Sequence, residues 1–252
     1  MNELLKPILS REPIRFENGA AIFSESESST IKERKAPTDY GSWSRIRKSH
    51  YLFYKNQLAK INKDSIFLDI GAGDRHFREL FDQFPHYIAV DFAAYPDISI
   101  VCDLTSSWPI RDWSVDTVIA SNVFEHLPDT AAALSESARI LKPGGKLLIA
   151  VPFLLGVHQA PYDFVRHTHY SWKRLLEQAG FEILEINASG NLYDLHATMR
   201  DKTHPRMGMT ALKFSNRILK FIEWLFSPFY MRTPKDLDLC LGYEILAIKR
   251  PI

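Results

Sequence analysis

An apolar run that meets an acid and then turns through two glycines constrains the fold of this chain more than any other feature. The run covers residues 66–70 and includes Asp69, and Gly71 and Gly73 follow it. Strands of a parallel sheet are covered on both faces and therefore appear in a sequence as nearly continuous apolar segments. Glycines after such a strand let backbone N–H groups approach a ligand with no Cβ in the way. The segment predicts a buried strand that leads into a ligand-binding turn.

The residues after this turn argue against the common phosphate-binding motifs. A dinucleotide fingerprint has a third glycine where this chain has His76. A P-loop would need Gly-x-x-x-x-Gly-Lys-Ser/Thr, and the chain contains no such motif. Asp69 would repel a phosphate, but it suits a ligand that carries an ammonium group and a sulfonium, as S-adenosylmethionine does. The alternative for Asp69 is a structural acid that caps the next helix.

Polar residues also follow three later predicted strands. Residues 87–90 end at Asp91, about twenty residues after the first strand, which is the spacing of an acid that accepts hydrogen bonds from ribose hydroxyls. Residues 98–101 end at Cys102 and Asp103, where a carboxylate can accept from an adenine amino group. Residues 115–120 end at Ser121. Because ligands of doubly wound sheets bind beyond the carboxyl ends of the strands, these residues predict one pocket.

Together these motifs resemble those of class I S-adenosylmethionine-dependent methyltransferases, of the broad group called type 11. The resemblance covers about residues 66–187 and includes the segments 68–73, 89–91, 102–104, 124–129 and 139–146. It implies an α/β fold with a Rossmann-like, seven-stranded, mostly parallel sheet, an antiparallel last strand and helices on both faces. Arg75 departs from the family pattern, which has a third glycine there.

The resemblance also implies S-adenosyl-L-methionine as the cofactor. The residues expected to bind it lie at the four strand ends: Asp69, Gly71, Ala72, Gly73, Asp91, Phe92, Cys102, Asp103, Leu104, Ser121, Asn122, Val123 and His126.

Residues 158–170 follow the fifth predicted strand and hold three of the nine histidines of the chain. Methyl transfer to oxygen or nitrogen requires an acceptor aligned behind the sulfonium methyl, and a hydroxyl acceptor also needs a base. Histidine titrates near neutrality, so His158 and His167 are the expected catalytic residues. The alternative is that either histidine only holds the loop by hydrogen bonds. No metal is expected, because the spacing of these histidines and Asp163 matches no zinc pattern.

Two segments fall outside the core of the resemblance. Residues 1–60 are interpreted as an N-terminal extension, with a polar linker at 24–30 and a helix that either caps the pocket through Tyr40, Trp43 and Arg47 or packs on the sheet. Residues 61–252 are the predicted methyltransferase domain, with a helical insertion at about 193–238. Within that insertion, the amphipathic segment 212–230 is compatible with own-domain packing, a homodimer or peripheral membrane contact.

Composition narrows the class of protein. The 252 residues are 46% hydrophobic and carry a formal net charge of +1, which gives no strong nucleic-acid signal. Two distant cysteines and the lack of a long apolar run predict a cytoplasmic location. The predicted function is methyl transfer to an oxygen or nitrogen of a small-molecule or glycan acceptor. The alternatives are a non-catalytic module that binds S-adenosylmethionine, and a nucleic-acid or protein methyltransferase.

Overall fold

The computed structural model describes residues 3–24, 39–73, 77–203 and 233–251. Within these ranges there are nine strands: β1 (Arg15–Glu17), β2 (Ala20–Ile22), β3 (Phe67–Ile70), β4 (Tyr87–Asp91), β5 (Ile100–Val101), β6 (Val115–Ser121), β7 (Leu141–Pro152), β8 (Phe181–Ser189) and β9 (Gly242–Lys249). The α-helices of the same ranges are α1 (Arg45–Leu58), α2 (Arg78–Phe81), α3 (Thr130–Ile140), α4 (His169–Gln178) and α5 (Leu192–Thr203).

All nine strands form one mixed sheet, in the order β1-β2-β5-β4-β3-β6-β7-β9-β8. Six neighbouring strands of this order, β2, β5, β4, β3, β6 and β7, are parallel to one another. β9 runs antiparallel to both of its neighbours, β7 and β8. This confirms the predicted α/β sheet with an antiparallel last strand. The sheet has nine strands rather than seven, because the hairpin of β1 and β2 adds to the edge of β5.

The parallel register brings the predicted site residues together at the carboxyl ends of the strands. Phe67 of β3 lies opposite Tyr87 of β4 on one side and Thr117 of β6 on the other. The loops after these strands therefore start at similar heights. All four residues of β3 are buried, as expected for a strand covered on both faces.

The N-terminal residues pack into the main core. Leu5 and Ile8 are buried in the same apolar cluster as Leu68 of β3 and Ile149 of β7. Ser44 caps the start of α1, because its hydroxyl accepts a hydrogen bond from the backbone N–H of Arg47. The division at residue 60 stays a prediction, although the described part of the extension shares its core with the rest of the molecule.

Of the three residues expected to line the pocket from the leading helix, Trp43 is buried in an aromatic cluster with Tyr40, Tyr51 and Phe77. Tyr40 is exposed on the outside of this cluster. The packing alternative therefore accounts for Trp43.

Several predictions fall on residues that the structure does not describe. These are almost all of the linker at 24–30, the amphipathic segment 212–230 and the turn residues Arg75 and His76. The described parts of the predicted insertion are α5 and the residues from 233 that lead to β9. No helix in the described ranges is both long and apolar enough to cross a bilayer.

Candidate functional site

The turn after β3 is held against the loop after β6. Gly71 and Gly73 adopt φ values of 63° and 54°, in the left-handed region that favours glycine. A Cβ at position 71 would lie 2.5 Å from Cγ2 of Val123. Only glycine fits there without displacing Val123, so the first glycine sets how closely the two loops approach.

The two predicted acids of this region, Asp69 and Asp91, already accept hydrogen bonds within the protein. Asp91 is buried, and its carboxylate accepts from the backbone N–H groups of Gly73 (2.8 Å) and Ala93 (3.1 Å). Burial raises the pKa of Asp91, while these backbone N–H groups act to lower it. The hydroxyl of Tyr87 donates to Oδ2 of Asp69 at 2.6 Å. A carboxylate accepts up to about four hydrogen bonds, so Asp91 keeps capacity for a ligand.

The loop after β5 is the predicted adenine side. The backbone N–H of Cys102 donates to the carbonyl of Asp91 at 3.0 Å, which ties this loop to the end of β4. Asp103 is exposed and accepts from the backbone and the hydroxyl of Thr105, both at 2.8 Å. A cavity of about 510 Å³ lies between residues 104–107 and residues 127–136, and buried Leu104 contributes to its wall.

The remaining predicted cofactor residues also lie at strand ends. Phe92, after β4, has an exposed ring. Asn122, after β6, adopts a positive φ of 54° and donates its backbone N–H to the carbonyl of Ala150 at 2.8 Å. Of the thirteen residues expected to bind the cofactor, His126 alone belongs to a different group of side chains.

That group consists of Glu125, His126 and His158, and we call it the Glu–His cluster. Glu125 is 2% exposed, and neither of its carboxylate oxygens accepts a hydrogen bond from the described residues. Its Oε1 lies 3.7 Å from Nε2 of His126 and 3.7 Å from Nε2 of His158. Burial raises the pKa of Glu125 to about 8. A buried carboxylate without donors is costly for the folded state, which makes this cluster a candidate functional site.

A backbone carbonyl fixes the protonation of His126. Its Nδ1 lies 2.5 Å from the carbonyl oxygen of Tyr162. Since a carbonyl only accepts, Nδ1 carries the proton and donates it. In the neutral ring Nε2 then presents a lone pair, and it is buried with no hydrogen-bond partner among the described residues. Burial also lowers the pKa of His126, which favours this neutral form.

An ion pair holds the loop that carries His158. Arg166 donates to both carboxylate oxygens of Asp163, at 2.5 and 2.7 Å, and Asp163 also accepts from the backbone N–H of His158 at 2.8 Å. Burial acts to raise the pKa of Asp163, but Arg166 and the N–H of His158 outweigh it and hold the pKa at about 2. The ring Nδ1 of His158 lies 3.3 Å from Oδ2 of Asp163 and 3.2 Å from a guanidinium nitrogen of Arg166.

His167, the other predicted catalytic histidine, lies in a different environment. Its Nε2 is 3.0 Å from the hydroxyl of Thr130 at the start of α3, and its Nδ1 is 3.0 Å from the hydroxyl of Ser171 in α4. The ring packs edge-on against Trp172, and burial lowers its pKa. Both ring nitrogens are engaged, so these contacts favour the loop-holding alternative for His167.

Of the four candidate metal ligands in this segment, His158 and Asp163 contact each other, whereas His167 and His169 have separate partners. His167 bonds Thr130 and Ser171, whereas His169 lies 3.6 Å from Asp238. Only His158 of that set belongs to the Glu–His cluster. Sequence reasoning missed Glu125, although one signal was present: Glu125 is an acid directly after the apolar pair Val123 and Phe124 at a strand end.

Comparison with known proteins agrees with this architecture. A family model described as a methyltransferase domain matches residues 40–186. A probable S-adenosylmethionine-dependent methyltransferase of Mycolicibacterium smegmatis is 30% identical over 132 residues, which are 46% of this chain and 51% of that protein. A demethylmenaquinone methyltransferase of Corynebacterium urealyticum is 34% identical over 91 residues, which are 33% of this chain and 40% of that protein. The chain thus spans about half or less of the length of these relatives.

A solved structure is similar over most of the chain. The 1,6-didemethyltoxoflavin-N1-methyltransferase of Burkholderia thailandensis, with its acceptor and S-adenosylhomocysteine bound, has a TM-score of 0.54. It is 15% identical, and the similarity covers 84% of this chain and 81% of that chain. At this identity the likeness concerns the fold.

Proposed function

Because the chain belongs to the methyltransferase-domain family, we propose that it transfers the methyl group of S-adenosylmethionine to an oxygen or nitrogen of a small-molecule or glycan acceptor. The observation that carries this proposal is the presence of two different sets of polar residues at the carboxyl ends of the parallel strands. One group, around Asp69 and Asp91, is satisfied by the fold. The other, the Glu–His cluster, contains a buried acid, Glu125, whose carboxylate oxygens accept no hydrogen bond from the described residues.

The first group is the proposed cofactor side. Asp91 would accept the ribose hydroxyls, since its carboxylate is already aimed by the N–H groups of Gly73 and Ala93. The turn of Gly71, Ala72 and Gly73, with Asp69 before it, would hold the methionine part. Cys102, Asp103 and Leu104 would face the adenine, and Ser121, Asn122 and Val123 would close the site from the next strand end. Bound there, the cofactor supplies an electrophilic methyl group on a sulfonium.

The Glu–His cluster is the proposed acceptor side. It follows β6, which pairs with β3 in the sheet, and β7, which pairs with the other side of β6. An acceptor heteroatom would lie beside His158 and give its lone pair to the methyl carbon, while the carbon–sulfur bond breaks with its electrons on sulfur. A hydroxyl acceptor would lose its proton to His158 in this step. We propose His158 as the catalytic histidine and His167 as a positioning residue, because His158, unlike His167, lies beside Glu125.

The names of the similar proteins favour a small acceptor. One relative is named for demethylmenaquinone and one structural neighbour for didemethyltoxoflavin, and both are small molecules. The near-neutral charge of this chain also gives no support to a nucleic-acid acceptor.

Calorimetry with the full chain tests the cofactor side. We expect S-adenosylmethionine and S-adenosylhomocysteine to bind with low micromolar dissociation constants, or about 7–8 kcal/mol, because the strand-end loops form a largely pre-built cleft. Equal binding of NADH or ATP, with no binding of the sulfonium cofactor, would contradict the proposal.

A screen with methyl-labelled cofactor against hydroxyl, amine and glycan fractions tests the acceptor side. Label should move to one chemical class of acceptor and disappear with His158→Ala. Tight cofactor binding without transfer to any fraction would support the alternative of a non-catalytic binding module.

A further inference from the structure

The Glu–His cluster brings three metal-type ligand atoms together. Oε1 of Glu125 lies 3.7 Å from Nε2 of His126 and 3.7 Å from Nε2 of His158, and one ligand atom from each residue lies within 4.8 Å of the other two. Two donors that are each about 2.1 Å from one ion, at a tetrahedral angle, are about 3.4 Å apart. Small side-chain rotations would therefore close these three atoms around a single ion.

The protonation pattern also calls for a proton or a cation between Glu125 and His126. The Tyr162 carbonyl takes the Nδ1 proton of His126, so Nε2 presents a lone pair toward the carboxylate of Glu125. Both atoms are buried acceptors, and no described residue donates to either of them. Two buried acceptors this close destabilise the fold unless a cation or a proton lies between them.

The groups behind the two histidines are those that support metal ligands. A histidine bound to a metal usually donates its other ring N–H to a backbone carbonyl or a carboxylate. His126 does so to Tyr162. Nδ1 of His158 lies 3.2 Å from a guanidinium nitrogen of Arg166 and 3.3 Å from Oδ2 of Asp163, and it would donate to Asp163 when Nε2 binds an ion. Asp163 is held in turn by the bidentate ion pair with Arg166.

We propose that Glu125, His126 and His158 bind one divalent transition-metal ion through a carboxylate oxygen and two Nε2 atoms. Two imidazoles and one carboxylate suit Zn²⁺, Mn²⁺, Fe²⁺ or Co²⁺ better than Mg²⁺ or Ca²⁺, which prefer oxygen ligands.

The chemical consequence rests on the proposed function, whereas the ion site itself does not. Three protein ligands leave at least one position open, and an oxygen of the acceptor can fill it. The ion would then lower the pKa of that hydroxyl, whose proton would pass to solvent before the oxygen attacks the methyl carbon. With the ion bound, His158 acts as a metal ligand and not as the base. This narrows the acceptor to a molecule with a hydroxyl that can bind a metal.

Direct titration of the full chain tests the site without any acceptor. The protein is freed of metal with a chelator and titrated with Zn²⁺ by calorimetry and with Co²⁺ by visible absorption. We expect one ion per chain, with absorption bands typical of mixed nitrogen and oxygen ligation. Glu125→Gln and His126→Ala should each weaken binding by about a hundredfold, and Asp163→Asn by about tenfold.

His86→Ala is the matched control. His86 directly precedes β4 and therefore lies at the amino ends of the parallel strands, whereas the cluster lies at their carboxyl ends. Its loss should leave the titration unchanged. Circular dichroism establishes that each variant is folded, and His126→Asn replaces any variant that is not.

Absence of a bound ion in the wild type would overturn the proposal, and so would equal binding by the wild type and the Glu125→Gln/His126→Ala double variant. Cofactor calorimetry on the same preparation separates this failure from failure of the proposed function. If S-adenosylmethionine binds and no metal does, only the proposed metal site is rejected. Loss of S-adenosylmethionine binding in the wild type removes the proposed function instead.

Discussion

The buried acids on the two sides of the candidate site differ in the hydrogen bonds that they accept. Asp91 accepts two backbone hydrogen bonds and Asp69 accepts one from Tyr87, whereas Glu125 accepts none from the described residues. All three acids are buried. A satisfied buried acid contributes to folding and presents a fixed shape, while an unsatisfied one lowers stability unless a ligand or an ion supplies what is missing. The comparison indicates a pre-built cofactor side and an acceptor side that is completed on binding.

The largest expected effect is on turnover at the acceptor side. His158→Ala and Glu125→Gln should each lower turnover by about a hundredfold or more, because they remove groups beside the reacting atom. The dissociation constant of S-adenosylmethionine should stay within about twofold of wild type, since no cofactor contact is removed. Single-turnover assays with the acceptor found by screening measure the first quantity and calorimetry the second.

Glu182→Gln is the control for that pair, because Glu182 is an exposed acid on β8. Wild-type turnover in the His158 and Glu125 variants would remove the proposed division between the two sides.

On the cofactor side, Asp91→Ala should affect binding and stability together. We expect S-adenosylmethionine binding to weaken by about 1.5–3 kcal/mol, because charged hydrogen bonds to the ribose are lost. The free energy of unfolding should also fall, by about 1–3 kcal/mol, since the N–H groups of Gly73 and Ala93 lose their acceptor. Calorimetry and urea denaturation without ligand measure the two effects.

Asp103→Ala provides the contrast, because Asp103 is exposed and, among the described residues, its carboxylate accepts hydrogen bonds from Thr105 in its own turn. It should weaken cofactor binding with little loss of stability. If Asp91→Ala leaves stability unchanged, the cofactor side is less pre-built than proposed.

The two glycines of the turn allow a sharper comparison. Both have positive φ, but a Cβ at position 71 meets Val123 at 2.5 Å, whereas a Cβ at position 73 has no described atom within 4 Å. Gly71→Ala should therefore lower the free energy of unfolding by at least about 1 kcal/mol more than Gly73→Ala does.

Val123→Ala in the Gly71→Ala background should recover part of that difference, because it removes the atoms in the way. Equal denaturation midpoints for the two glycine variants would show that the loops after β3 and β6 are not closely packed.

The smallest effect on turnover is expected at His167. His167→Ala removes hydrogen bonds to Thr130 and Ser171 and should lower the free energy of unfolding by about 1–2 kcal/mol. Turnover should change by less than about fivefold, because the ring holds two helices rather than the acceptor. A loss of turnover comparable to that of His158→Ala would return His167 to a catalytic role.

Much of the fold could be predicted because the local sequence of each central strand indicates that strand. The apolar segments of β3, β4 and β6, with polar residues directly after them, give both the strands and the edge at which ligands bind. β1 and β2 were not predicted, because three residues are too short to show a period, and only pairing with β5 makes them part of the sheet.

The Glu–His cluster was predicted only in part. His126 and His158 were named, but for unrelated roles. What unites them is the burial of Glu125 and the carbonyl of Tyr162, which lies 36 residues after His126. No local pattern encodes a contact between the end of one strand and a loop two elements later.

The hairpin of β1 and β2 has a consequence for how the molecule behaves at high concentration. Without it, the outermost strand on that side would be β5, two buried apolar residues with open backbone groups and no charge to discourage a second chain. The hairpin covers that edge and presents in its place β1, an exposed strand with Arg15 and Glu17. The opposite edge, β8, carries Glu182 and Glu185. A chain cut back to the parallel sheet would keep its strands but lose this protection, and edge-to-edge aggregation would follow.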